Sequence, residues 1–194
     1  MGKTIKINNK EIKYRTVPRD VKYPRLELRT GQLVLILPKD TKNEQYILRK
    51  HKRWIFKKKE QIKKALENSS GKKLNRRIDR NKLKNFAKQK ANLFSDRLDV
   101  EVNKIFVRRM KSKWASLSSK RNITINSYAR FLPEKLIEYI IFHEVSHILV
   151  KKHNEKFWKL IEGRYANYEK YEDELFKYWF LLQEKMKIYS LNKR

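Results

Sequence analysis

Three of the four histidines fall within eleven residues, His143-Glu144-Val145-Ser146-His147-Ile148-Leu149-Val150-Lys151-Lys152-His153. The string contains H-E-x-x-H. On a helix, positions i and i+4 share one face, so both imidazoles can reach a single metal ion. Glu144, beside the first histidine, is placed to take a proton from a water activated by that metal. His153, six residues after His147, is a natural third ligand. Three protein ligands with one open position describe a catalytic zinc site, whereas a structural site closes all four. Helical histidines four apart can also be surface or satisfied core groups. Here, however, they lie among Leu136, Ile137, Ile140, Ile141, Val145, Ile148 and Leu149. Burying two imidazoles and a carboxylate in such a helix is costly without partners, and a metal ion supplies them.

The third ligand sets a demand on the chain. Six residues along an unbroken helix would carry His153 off the His147 face, so the helix must end between Ile148 and His153. No Gly or Pro lies in that stretch. Metzincin-type proteases share the spacing but have a glycine where this chain has Val150. Asn154 can cap a following helix that begins at Glu155, which puts His153 in the turn. The rival third ligand is a carboxylate from the second helix, as in gluzincins, with Glu169 or Glu172 as candidates. His153 is preferred because histidines in turns are common zinc ligands.

The elements that must position these residues can be read around them. Thr4–Ile7 and Ile12–Arg15 alternate about Asn8-Asn9-Lys10, and Arg25–Arg29 pairs with Gln32–Leu37 through Thr30-Gly31, giving two β-hairpins. Thr41 is expected to cap a helix with Ile47, Leu48, His51, Trp54, Ile55, Lys58, Ile62 and Leu66 on its apolar face, His51 being a core-edge residue rather than a ligand. Trp54 and Phe56 lie among lysines and arginines, as in a base-stacking platform, although helical spacing makes Trp54 a core residue first. Asn68–Lys73 reads as a linker. A helix over 80–98, strands over 104–109 and 122–126 around a loop at 111–121, the metal helix opened by Pro133, a helix over 155–165 and a last one over 171–188 complete the chain. This predicts an α+β fold. Antiparallel hairpins and a helix over 1–67 join a zincin-like part over 75–194, the two packing as one compact unit, with antiparallel pairing throughout because the connections are short.

Composition narrows the function classes. With 194 residues, 40% of them hydrophobic and 23 aromatic, the chain can bury a core. No apolar run exceeds five residues, so no membrane span is expected. The first residues open into a strand pattern without a signal-peptide core. The absence of cysteine rules out disulfides, thiol catalysis and Cys-ligated zinc, and fits a cytoplasmic protein. The net charge is +29. From Arg49 to Lys90, 18 Lys and Arg face three acids, which supplies 15 of those charges, and Lys104–Arg121 adds seven bases and no acid. Such segments suit nucleic acid or another anionic partner, and they equally suit a solvated lysine-rich surface.

The chain resembles the YgjP-like metallopeptidase family, small zincin-type proteins distantly similar to SprT-type proteases, over nearly its whole length. The resemblance rests on Gly31, Pro38, Lys50 and Trp54-Ile55, then on Arg109-Met110-Lys111-Ser112-Lys113-Trp114-Ala115-Ser116 and Ile123-Thr124-Ile125-Asn126. It continues through His143–His153, Phe157-Trp158 and Tyr168. The family usually reads Trp-Gly-Ser-Cys-Ser where this chain has Trp114-Ala115-Ser116-Leu117-Ser118. The resemblance implies His143, His147 and His153 as ligands of one zinc ion per chain and Glu144 as catalytic acid/base.

Three functions are compatible with these residues. The first is a zinc-dependent peptidase, for which Tyr165, Tyr168 and Lys113 are candidate oxyanion donors. The second is hydrolysis of a nucleoside triphosphate, with Arg108, Arg109, Lys111 and Lys113 near Trp114 as phosphate clamps. The third is a nucleic-acid-associated zinc protein or protease, binding through the basic 49–90 and 104–121 segments. Expected substrate contacts are Arg109, Lys111, Lys113, Trp114 and Tyr168.

Overall fold

The computed structural model describes residues 2–29, 32–39, 41, 43–67, 74 and 78–191. The expected linker at Asn68–Lys73 and the Thr30-Gly31 turn lie outside these. The chain divides into two compact units, Met1–Ser70 together with Trp179–Arg194, and Gly71–Tyr178. The sequence pattern had assigned 179–194 to the metal-binding part.

The first unit opens with β1 (Lys3–Ile7) and β2 (Lys10–Pro18), joined by Asn8-Asn9. Both asparagines have positive φ, 48° and 58°. This is the type I′ geometry whose twist matches two antiparallel strands, and asparagine tolerates it better than most residues. β3 (Arg25–Arg29) and β4 (Gln32–Leu37) form the second antiparallel hairpin. The sheet order is β1-β2-β4-β3, so β2 and β4 run parallel, in contrast to the all-antiparallel expectation. The side-chain pattern explains the order. Leu33–Leu37 is a continuous apolar run, each residue at most 2% exposed, and takes a central position. β3 alternates charge with leucine and takes the edge. Placing β4 beside β2 makes that pair parallel.

The expected single helix is two, α1 (Glu44–Lys50) and α2 (Lys52–Glu67), broken at His51. The α1 cap position is held by Asn43, not Thr41. Leu48 and Ile55 lie seven residues apart and pack with Ile5, Ile7, Ile12, Tyr14, Leu33, Leu35 and Leu37, with Phe56 partly buried against them. His51 is exposed and Trp54 is 37% exposed, so neither belongs to this core. The break at His51 takes both out of the packed stripe.

The second unit begins with α3 (Arg80–Leu98), capped by the Asp79 carboxylate, which accepts from the Asn81 and Lys82 backbone N–H groups. Leu83, Ala87, Ala91 and Phe94 form its buried stripe. A three-stranded sheet follows, made of β5 (Ile105–Arg108), β6 (Ala115–Leu117) and β7 (Ile123–Asn126) in the order β5-β7-β6. β6 falls in the stretch expected to be a loop. Because β6 pairs antiparallel with β7, β5 and β7 are left parallel. A 3-10 turn over Ser127–Phe131 leads to α4 (Glu134–Leu149), α5 (Glu155–Glu162) and α6 (Tyr168–Leu191). α4 packs against α3, β6 and α5, so the strand absent from the expected pattern is the one against the metal helix. Among the described residues, no helix is long and apolar enough to cross a membrane.

Candidate metal centre

α4 is apolar nearly all round and buries Leu136, Ile137, Tyr139, Ile140, Ile141, Phe142 and Val145. His143 and His147 emerge one turn apart near its C-terminus. The helix ends at Leu149, and Val150 is extended (φ −130°, ψ 102°). No glycine is needed. Val150 is β-branched and accepts extended backbone readily, and its carbonyl takes a hydrogen bond from His147 Nδ1 at 3.0 Å. Asn154 then starts α5, its side chain accepting from the Phe157 N–H at 3.1 Å. The turn between the two helices carries His153 back over the α4 face.

The three imidazoles converge. His153 Nε2 lies 2.9 Å from His143 Nε2 and 3.1 Å from His147 Nε2. Ligand nitrogens around one tetrahedral zinc ion at 2.0–2.1 Å are about 3.3 Å apart, so the set fits such an ion. Protonation agrees. A carbonyl can only accept, so His147 Nδ1 carries the proton and its Nε2 offers a lone pair to the cluster. Burial, with His147 and His153 nearby, pushes the His143 pKa down to about 3, which leaves that ring neutral. Burial lowers His147 as well. Three imidazoles with converging nitrogens are the donor set of a borderline-soft divalent cation.

The two candidate carboxylate ligands lie elsewhere. Glu169 is exposed. Glu172 Oε1 stands 3.7 Å from His143 Nδ1, behind the ring, and accepts a 2.6 Å hydrogen bond from the Tyr139 hydroxyl. Glu144 is 8% exposed. Burial pushes its pKa up to about 7, against the opposing effects of the Leu117 backbone N–H and of Lys113. The Leu117 contact shows why β6 matters, because this strand holds the carboxyl beside the metal-binding face. Ala115 sits in regular strand pairing with Ile125, so alanine fits where the family usually has glycine.

Stacked rings brace the ligands. Phe157 stacks on His147 with centroids 4.5 Å apart, Trp158 on His153 at 5.6 Å, and Tyr168 on Trp158 at 4.8 Å. Tyr168 therefore lies behind Trp158 and does not line the cleft. A cleft of about 890 Å³ opens over the imidazoles, walled by Lys113–Ser119, Arg121, Lys151 and Glu172 among others. Of the expected substrate contacts it includes Lys113 and Trp114. Arg109 instead lies over the Tyr128 ring, and Lys111 is exposed outside the lining.

Sequence reasoning named Asn126 only as the end of a family motif and missed its role. Fully buried, it donates from Nδ2 to the Met110 and Lys113 carbonyls (3.0 and 2.7 Å) and accepts from the Tyr128 N–H at 3.1 Å. It staples the loop before β6 to the end of β7. The available signal was a polar residue closing the apolar alternation Ile123-Thr124-Ile125. The Tyr139–Glu172 pair and the Leu117 N–H had no local signal, because each joins residues far apart in sequence.

The YgjP-like metallopeptidase domain matches residues 59–178, more than half of the chain. The chain belongs to the YgjP-like family. The YgjP-like match contains every residue of the centre described above, which makes this a metallopeptidase-type hydrolase domain whose three-histidine cluster is suited to hold the metal. Solved structures similar to this YgjP-like chain include the metallopeptidase zymogen of Pyrococcus abyssi abylysin, at 22% identity, 46% coverage of this chain and 90% of that chain, TM-score 0.43. The metallopeptidase zymogen of Methanocaldococcus jannaschii jannalysin is 32% identical, with 46% and 90% coverage and TM-score 0.41. Among curated proteins there is no match.

Proposed function

We propose that the chain is a zinc-dependent peptidase in which His143, His147 and His153 hold the ion and Glu144 is the acid/base. The observation that carries this reading is the convergence of three imidazole nitrogens beside one buried carboxyl. A bound zinc ion would supply Lewis acidity to a water and to the scissile carbonyl. Glu144 takes one proton from that water as its oxygen adds to the carbonyl carbon. It passes the proton to the amide nitrogen as the C–N bond breaks, leaving a carboxylic acid and an amine. A carboxyl with a pKa near neutrality can do both. Glu172, hydrogen-bonded by Tyr139, faces the His143 Nδ1 at 3.7 Å, beyond direct hydrogen-bond reach.

The cations Lys113, Arg121 and Lys151 on the cleft wall favour a second reading, hydrolysis of a nucleoside triphosphate. The test is to incubate the zinc-loaded chain separately with unfolded polypeptide and with nucleoside triphosphates, using Glu144→Gln as the blank. The variant should keep zinc and lose about 10²–10⁴ in rate, because glutamine keeps the shape but cannot accept a proton. His143→Ala or His147→Ala should lose zinc and turnover together. Near-normal hydrolysis by Glu144→Gln would remove Glu144 from the chemistry. Cleavage of nucleotides alone would select the second reading.

A further inference from the structure

Adding water to an amide carbonyl puts negative charge on its oxygen, and a fixed donor aimed at that oxygen is commonly a large part of catalysis. Three side chains were candidates for such a donor, and two of them are out of reach. Tyr165 packs edge-on against Tyr139 and Phe142, and Tyr168 stacks on Trp158. Neither lines the cleft. Tyr139 does line it, but its hydroxyl donates to Glu172. Lys113 lines the cleft together with His143, Glu144, His147 and His153.

We propose that Lys113 is a catalytic residue whose ammonium donates a hydrogen bond to the carbonyl oxygen of the scissile bond. This rests on the hydrolase reading above and deepens it. The base of the side chain is held at three points. The Lys113 carbonyl accepts from Asn126 Nδ2 at 2.7 Å, the Trp114 carbonyl from the Asn126 N–H at 2.7 Å, and the Trp114 indole N–H donates to the Leu175 carbonyl at 3.2 Å. A lysine on an untethered loop would spread its charge over a wide volume. Here the buried asparagine fixes where the flexible, exposed stem starts, which narrows the volume the ammonium can reach. Arg121 and Lys151 also wall the cleft and suit substrate docking, whereas Lys113 is the one of the three whose main chain the buried Asn126 holds.

The experiment uses the full zinc-loaded chain with Lys113→Met and Lys113→Arg, measuring zinc content, kcat and KM on unfolded casein, and affinity for inorganic phosphate as a tetrahedral oxyanion probe. Loss of one oxyanion donor typically costs about 10²–10³ in kcat. Lys113→Met should show a loss of that size with KM within about threefold, full zinc content and at least tenfold weaker phosphate binding. Lys113→Arg should recover part of both. Unchanged kcat, or a raised KM with kcat retained, overturns the proposal, because the ammonium would then be idle or merely a docking charge. Loss of zinc in both variants overturns it too, by assigning the residue to the loop's structure. If the wild type cleaves nothing while Glu144→Gln behaves identically, the hydrolase reading fails by itself. Phosphate affinity then still judges Lys113, and equal binding by wild type and Lys113→Met rejects the donor role.

Discussion

Burial pushes the Glu144 pKa up to about 7, and the energy behind that shift can be measured without a substrate. In the metal-free chain its pKa is about 7, against an ordinary value of 4.5. Between those values the folded state binds more protons than the unfolded state, so the stability linked to this carboxyl is complete below about pH 4.5 and is lost as pH rises through 7. Glu144→Gln, neutral at every pH, should therefore be more stable than the wild type at pH 8 by on the order of 2–3 kcal/mol, and equal to it near pH 4. Chemical denaturation in chelator at the two pH values checks this, and a pH-independent difference would contradict it. His143 contributes equally to both proteins and cancels. At the Tyr139–Glu172 pair, Glu172→Gln and Tyr139→Phe should weaken zinc binding by about 10–100-fold if they orient the His143 ring. Competition with a chromogenic chelator reads this directly, and unchanged affinity in both variants would make the pair a packing feature.

Among the elements, the exit from α4 is the most informative. The spacing of the histidines and the cap at Asn154 were enough to place the helix end before His153 and the start of α5 at Glu155, because capping is local chemistry written within four residues. The same holds for α3 and for both N-terminal hairpins. Strand order was not legible. Pairing across β2–β4 and β5–β7 joins residues far apart in sequence, and a three-residue strand such as β6 is too short for alternation to register. The centre divides in the same way. His143, Glu144, His147 and His153 stand in one string, while Leu117, Asn126 and Glu172 reach it only through tertiary structure. Asn154→Ala should cost about 1 kcal/mol through loss of the cap. Because the α5 start also fixes the His153 turn, the variant should bind zinc more weakly as well. A lowered Tm with unchanged zinc affinity would separate the cap from the metal centre.

The whole molecule carries +29 charges, of which α2, with seven bases against two acids, supplies five. α2 exposes Lys52, Arg53, Lys57, Lys63 and Lys64, with Trp54 also exposed among them. A basic stripe with an open aromatic ring suits single-stranded nucleic acid, whose bases can stack while the phosphates are neutralised. Anisotropy with a labelled oligonucleotide should show log affinity falling with log salt at a slope of about −0.7 per phosphate contacted. Trp54→Ala should weaken binding further. No binding at 50 mM salt would leave the lysines as a solvated surface.

The order in which the chain is synthesised bears on how its two units form. The unit that contains β1–β4 draws its last contributors from residues 179 onward, at the far end of α6, whereas the metal-binding unit is continuous from 71 to 178. A growing polypeptide therefore completes the second unit before the first, although the first 70 residues leave the ribosome earlier. Residues 179 onward emerge more than a hundred residues after the strand Leu33–Leu37, which at about 5–20 residues per second is an interval on the order of ten seconds. Limited proteolysis of nascent chains stalled after residue 178 should find 71–178 resistant and the first 70 residues cleavable, and equal resistance of both would show that the first unit forms without its C-terminal contributor.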